Sequence, residues 1–258
     1  MIWNSLRITA DPQGVVRVTL NTPDKRNVLS AEMIAELTEV AAALGQARAV
    51  VLSGAGPVFC AGGDLGWMQA QILADRPQRL REARRLAEML QALNTVPVPL
   101  IGRLHGGAFG GGVGLACVCD VTLATPETKF AFSETRLGII PATIGPYVLA
   151  RMGEGRARRV FMSGRVFDAV EAEALGIVSR VVEADAMEAA VEAELAPYLS
   201  TAPGAVSAAK ALTRALGPRI DAAVIHDSVA RLVASWETSE ARAGIEAFLR
   251  KERPPWAQ

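Results

Sequence analysis

Two glycine-bearing segments and one glutamate carry the chemistry legible in this 258-residue chain. Phe59-Cys60-Ala61-Gly62-Gly63-Asp64-Leu65 and His105-Gly106-Gly107-Ala108-Phe109-Gly110-Gly111-Gly112-Val113-Gly114 each follow a strand-like apolar run and open into a predicted helix. Backbone amides at such junctions have no partner within the helix and sit at the positive end of its dipole. Two of them aimed at one point form an oxyanion hole, where removing one donor typically costs about 2.7–4 kcal/mol of transition-state stabilisation. Downstream, Ser133-Glu134-Thr135-Arg136-Leu137-Gly138 supplies one carboxylate. Taken alone, Glu134 reads as a surface residue paired with Arg136 or Lys129, but Phe130, Phe132, Leu137 and Ile139 around it suggest an apolar wall. A carboxyl against such a wall has its pKa raised toward the operating pH, as a general acid/base needs. An oxyanion hole with one such carboxyl is a minimal kit for moving protons beside a thioester carbonyl.

The other reactive side chains read more plainly. Asp64 suits a helix N-cap better than a catalyst. Trp67 and Met68, one turn later, fit either core or the wall of an acyl pocket. His105 reads as a satisfied structural histidine, and Lys25-Arg26 as a solvated pair that can also meet phosphates. Cys60, Cys117 and Cys119 read as small buried fillers in a reducing cytosol. With two histidines and no His-Glu-x-x-His, no metal site is expected. A dinucleotide fingerprint starting at Gly110 and Gly112 fails because its third glycine falls on Leu115, and neither a phosphate-loop motif nor Gly-x-Ser-x-Gly occurs.

The elements that must position these groups follow from periodicity. Leu6–Leu20 reads as a hairpin turning at Asp11–Gly14, and Ser30 as the cap of a helix through Leu44 with Met33, Leu37, Val40 and Leu44 on one face. Ala49–Ser53, Pro99–Leu104 and Val121–Ala124 read as strands; Leu65–Leu73, Pro77–Leu93 and Gly111–Cys117 as helices. From about Asp185 the chain is nearly all helical, broken at Pro197, Pro203 and Gly217-Pro218, as a lid or an oligomerisation element would be. The cadence predicts an α/β core, with residues 1–195 as core and site and 196–258 as a C-terminal helical region. Balanced charges, 27 basic against 27 acidic, argue against a nucleic-acid or membrane-surface role. No run of 18 apolar residues occurs, and Met1–Ala10 does not read as a signal peptide, so a cytoplasmic protein is expected.

These segments resemble the crotonase (enoyl-CoA hydratase/isomerase) superfamily nearly end to end. Thr22-Pro23-Asp24-Lys25-Arg26-Asn27-Val28-Leu29-Ser30 resembles its early Pro-x-x-x-Asn-Ala-Leu loop, Phe59–Leu65 its Phe-x-Ala-Gly-x-Asp-Leu segment, and Gly106–Gly114 with Cys119-Asp120 the segment after it. The resemblance implies a spiral of ββα units, a C-terminal helical region that builds trimers or dimers of trimers, an acyl-CoA thioester substrate, and no cofactor beyond the coenzyme A within it. It implies oxyanion amides at Gly63 and Gly111, and a coenzyme A site lined by Lys25, Arg26, Val28, Ala61, Gly62 and Leu65. Asp64 and Trp67 join the substrate-binding candidates. Phe248 and Lys251 match positions that can reach coenzyme A across a subunit boundary. Two-carboxylate hydratases place one glutamate at the position of Gly114 and the other at that of Glu134, so this chain keeps one. The Ser133–Val148 stretch, Asp64–Met68 and the Phe248–Trp256 ending look like bacterial methylglutaconyl-CoA and isohexenylglutaconyl-CoA hydratases. That resemblance implies hydration of a branched 2-enoyl-CoA, with the substrate's extra carboxylate helping to position water and Arg136 or another basic surface pairing with it. The alternatives are isomerisation of a 3-enoyl-CoA and binding without turnover.

Overall fold

The computed structural model describes residues 3–257. Strand β1 (Leu6–Ala10) pairs antiparallel with β2 (Val15–Leu20) through the expected turn, where the Asp11 carboxylate accepts from the amides of Gln13 and Val15 at 2.9 and 3.0 Å. Helix α1 (Ala31–Ala43) starts at Ser30, whose hydroxyl accepts from the Met33 amide at 3.1 Å, and it buries Met33, Leu37 and Val40. The expected three-to-four-residue spacing therefore faces the core.

Next come β3 (Ala49–Gly54), α2 (Leu65–Leu73), α3 (Arg76–Thr95), β4 (Leu100–Leu104), β5 (Gly107–Phe109), α4 (Gly111–Val118), β6 (Val121–Ala124) and β7 (Lys129–Ala131). Then follow a 3-10 turn at Ser133–Leu137, α5 (Gly145–Met152), α6 (Glu154–Ala157), β8 (Phe167–Asp168), α7 (Ala169–Leu175) and β9 (Arg180–Val181). One sheet has the order β1-β2-β3-β4-β6-β9, parallel from β2 onward; a smaller one has the order β5-β7-β8. Val50, Val51 and Leu52 of β3 are all buried, as a central parallel strand covered on both faces requires.

The chain ends in α8 (Met187–Leu199), α9 (Pro203–Leu216), α10 (Ala222–Trp236) and α11 (Ser239–Arg250). One sequence expectation is corrected here. Pro197 does not break the chain: it lies in the last turn of α8, where its missing N–H costs a single helix hydrogen bond. The position 195/196, expected to separate core from helical region, lies within α8. Helices α10 and α11 fold back on the body. Val229, Leu232, Val233 and Trp236 of α10 and Ala241 and Ile245 of α11 pack with Ala83, Ala87, Leu137 and Ile139 into a second core. Burying each large apolar side chain there contributes roughly 1.5–3 kcal/mol. Among the described residues no helix is long and apolar enough to cross a membrane.

Candidate active site

The two glycine segments are laced together backbone to backbone. The Phe59 and Cys60 amides donate to the His105 and Gly107 carbonyls at 3.0 and 3.1 Å, and the Phe109 amide returns a bond to the Cys60 carbonyl at 3.0 Å. This approach tolerates no side chain: a Cβ on Gly62, where φ is +90°, would lie 2.7 Å from the Phe109 carbonyl oxygen, and one on Gly112 would lie 2.5 Å from that of Cys60. Gly63 and Gly111 thereby reach one cavity. Gly111 opens α4, and Gly63 precedes Asp64, the cap of α2, whose carboxylate accepts from the Trp67 amide at 2.8 Å. Among the described residues neither the Gly63 nor the Gly111 amide donates a hydrogen bond, so two unpartnered donors face the same space.

Glu134, in the 3-10 turn, lines that cavity too. Gly110 makes room for it: φ there is +48°, and a Cβ would meet Glu134 Oε1 at 2.8 Å. Glu134 Oε2 is buried without a hydrogen-bond partner, and burial pushes the carboxyl from its ordinary 4.5 up to about 7. Glu134 pairs with neither Arg136 nor Lys129, both exposed; the Arg136 stem lies against Gly164. The apolar wall differs in part from the expected one. Phe130 and Phe132 belong to the main core, while Ile139, Ile140, Pro141, Met68 and Trp67 close around the carboxyl with Leu232 and Trp236 of α10.

A second, larger and more open cavity meets the first at Gly63, Met68 and Glu134. Lys25, Arg26, Val28, Ala61, Gly62 and Phe248 line it. Its loop is held by Asn27, which is fully buried at φ +53°; its amide nitrogen donates to the Ala55, Val58 and Phe59 carbonyls at 2.8, 3.0 and 3.2 Å, and its oxygen accepts from the Thr22 amide at 2.9 Å. The Ala61 amide then donates to Arg26 and the Leu29 amide to Gly62, tying the basic loop to the first glycine segment.

The profile of the enoyl-CoA hydratase/isomerase family matches residues 10–258. The chain belongs to that family. It is 30% identical over 253 residues to enoyl-CoA hydratase AKT6-1 of Alternaria alternata, covering 95% of this chain and 82% of that one. Its fold is similar to that of an enoyl-CoA hydratase from Shewanella pealeana (33% identity, TM-score 0.80, 98% and 96% of the two chains covered). It is also similar to Pseudomonas aeruginosa AtuE (36% identity, TM-score 0.78, 99% and 100% covered).

Within this enoyl-CoA hydratase/isomerase family member, the tertiary structure gathers Gly63, Gly111, Glu134 and Trp67 at the smaller cavity and most of the expected coenzyme A-side residues at the larger. Acyl-CoA binding is consistent with that family. Asp64 lines neither cavity because its side chain is spent on the cap. Lys251 is exposed at the end of α11 and lines neither. Phe248, expected to reach coenzyme A across a subunit boundary, lines the larger cavity of its own chain, where α11 folds back on the 3-10 turn. The side chain of Leu65 lies outside the described residues. Gly114, where a second carboxylate would stand by resemblance, is shut off from the cavity: a Cβ there would lie 2.4 Å from the Ile144 Cγ2 methyl. His105 is only half satisfied, with Nε2 2.8 Å from the Gly56 carbonyl and Nδ1 buried without a partner. The three cysteines are free and buried, and burial pushes their thiols up to about 12, which makes them inert fillers.

Sequence reading missed the site roles of Asn27, Thr143, Leu232 and Trp236. Asn27 carried a usable signal, since asparagine tolerates the left-handed region. Leu232 and Trp236 carried only helical spacing, which fits any core.

Proposed function

We propose that this chain hydrates a short, branched 2-enoyl-CoA using one carboxylate. The observation that carries the reading is the meeting of the Gly63 and Gly111 amides with a partnerless, buried Glu134 carboxyl in one cavity. In this reading the thioester oxygen takes the two amide donors, which stabilise the enolate charge as it develops. The acyl chain enters the smaller cavity and the coenzyme A moiety lies along Lys25, Arg26 and Phe248. Ionised Glu134 takes a proton from water as the oxygen bonds to the β-carbon, then returns that proton to the α-carbon. A carboxyl with a value near 7 suits both halves of that exchange. The reading calls on no resident cofactor, since coenzyme A arrives with the substrate.

The resemblance to methylglutaconyl-type hydratases supports a branched acyl group, but the cavity bears on its charge. Among the described residues no lysine, arginine or histidine lines it, and its one acidic group is Glu134 itself. An unpaired carboxylate in such a space costs several kcal/mol, on the order of the penalty for any buried lone ion. The lining favours an uncharged branched chain such as 3-methylcrotonyl over a glutaconyl one. Isomerisation of a 3-enoyl-CoA is the second reading, favoured by the closure of Gly114 behind Ile144, since one carboxylate suffices to carry a proton between two carbons.

Trimers or dimers of trimers belong to the same proposal. Helix α9 buries none of its residues and leaves Leu212 and Leu216 57% and 80% exposed, as a face awaiting a second copy would be. Light scattering on the purified protein reads this directly. A cytoplasmic location fits the three free thiols.

The test is mass spectrometry of wild type and Glu134→Gln with crotonyl-CoA, 3-methylcrotonyl-CoA, 3-methylglutaconyl-CoA and a 3-enoyl-CoA. A gain of one water that the variant abolishes supports the hydratase, and a preference for methylglutaconyl-CoA over methylcrotonyl-CoA overturns the uncharged-chain reading. Isomerised product of unchanged mass, without hydration, moves the assignment to isomerase. Thioester binding without conversion of any substrate overturns both catalytic readings.

A further inference from the structure

Resting on the hydratase reading, we infer that Thr143 is the positioning residue for the attacking water. Addition of water at a single carboxylate needs a second polar group, because a water held only by Glu134 is free to swing off the β-carbon. Among the described residues, four side chains lining the acyl cavity carry a polar nitrogen or oxygen: Glu134, Trp67, Trp236 and Thr143. The indole N–H groups of Trp67 and Trp236 are donors only, whereas a threonine hydroxyl both donates and accepts. A water that gives one proton to Glu134 keeps a second O–H that needs an acceptor. Thr143 is the side chain in that wall able to supply it.

Its setting fits the task. Thr143 is 5% exposed and stands in the wall of the same cavity as Glu134. A hydroxyl beside a carboxyl in an otherwise apolar wall is the kind of polar cavity site where an ordered water is held. The backbone around it is fixed, with the Ala142 amide bonded to the Ile140 carbonyl at 2.8 Å and the Gly145 amide to the Ala142 carbonyl at 3.0 Å. A β-branched side chain on a fixed backbone has little freedom at χ1. The neighbouring Ile144 fills the room that a side chain at position 114 would need. The chain thus closes the Gly114 side with a methyl group and offers a hydroxyl one residue away.

The step balances with these groups alone. The water oxygen bonds to the β-carbon as the π pair of the double bond moves onto the α-carbon and thioester oxygen. The proton facing Glu134 passes to its carboxylate, while the other stays on oxygen, donated to Thr143 Oγ1. Glu134 then delivers its proton to the α-carbon, which restores the carboxylate and the thioester.

The experiment compares wild type, Thr143→Val and Thr143→Ser in two assays. One is hydration of the best 2-enoyl-CoA substrate. The other is exchange of the α-hydrogens of butyryl-CoA in D₂O, which uses Glu134 and the two amides but adds no water. Thr143→Val is expected to lower kcat for hydration about 10- to 100-fold, the usual cost of a misplaced reactant, while α-exchange stays within about twofold. Thr143→Ser, which keeps the hydroxyl, is expected to hydrate within about threefold of wild type. Unchanged hydration by Thr143→Val overturns the inference. So does an equal fall in both activities, since that marks Thr143 as a packing residue. Wild-type protein that exchanges α-hydrogens yet hydrates no 2-enoyl-CoA instead overturns the hydratase reading, and the role of Thr143 falls with it.

Discussion

Replacing Glu134 by glutamine should cost activity and add stability, the second only at neutral and alkaline pH. The carboxyl is near its ordinary 4.5 in the unfolded chain and at about 7 in the folded one. Below 4.5 it is protonated in both states and contributes no penalty. As pH rises through the window from 4.5 to about 7 the unfolded chain ionises first, so the native state loses stability; above about 7 the full penalty is present. Between pH 5 and pH 8 the penalty grows by about 2.5 kcal/mol, taken as an upper bound. Glutamine does not titrate, so any fixed cost of its amide cancels between the two pH values. At roughly 2–4 °C per kcal/mol for a chain of this size, the melting-temperature gap between Glu134→Gln and wild type should widen by about 5–10 °C from pH 5 to pH 8. Thermal melts at both pH values read this. Hydration should meanwhile fall about 10²–10⁴-fold, and the wild-type pH profile of kcat/KM should rise through an apparent value near 7. A gap that is the same at both pH values would refute the reasoning, because it would mean that Glu134 ionises as easily folded as unfolded.

Three further predictions follow from close contacts. Gly110→Ala places a Cβ 2.8 Å from Glu134 Oε1 at a positive φ, so steady-state kinetics should show kcat reduced about 10²-fold with KM nearly unchanged. Asn27→Ala strips the Ala55, Val58 and Phe59 carbonyls of their shared donor; it should cost about 1–3 kcal/mol in denaturant melts and raise KM for acyl-CoA by loosening the Lys25–Val28 loop. Gly114→Glu should lower the melting temperature without raising hydration, since its Cβ falls 2.4 Å from Ile144 Cγ2, and Ile144→Ala should restore part of the lost stability.

Local patterns made much of this protein legible in its sequence. Ser30 and Asp64 cap their helices as read, because an N-cap is decided by a side chain and an amide three residues away. The strands at Ala49 and Val121 and the two glycine segments were visible because chain conformation at those places depends on neighbours. The glycines, and Glu134 after them, also marked where chemistry would occur. What only the tertiary structure decided is how distant segments meet. Glycines 62 and 112 let two backbones pack face to face, which brings the Gly63 and Gly111 amides to one cavity. The fold-back of α10 and α11 brings Leu232, Trp236 and Phe248 to the cavity walls, although helical spacing alone could not say what those faces cover. Ile144 seals Gly114, and the buried wall lifts the Glu134 carboxyl. Burial and desolvation are properties of everything packed around a group, so no stretch of sequence beside Glu134 determines them.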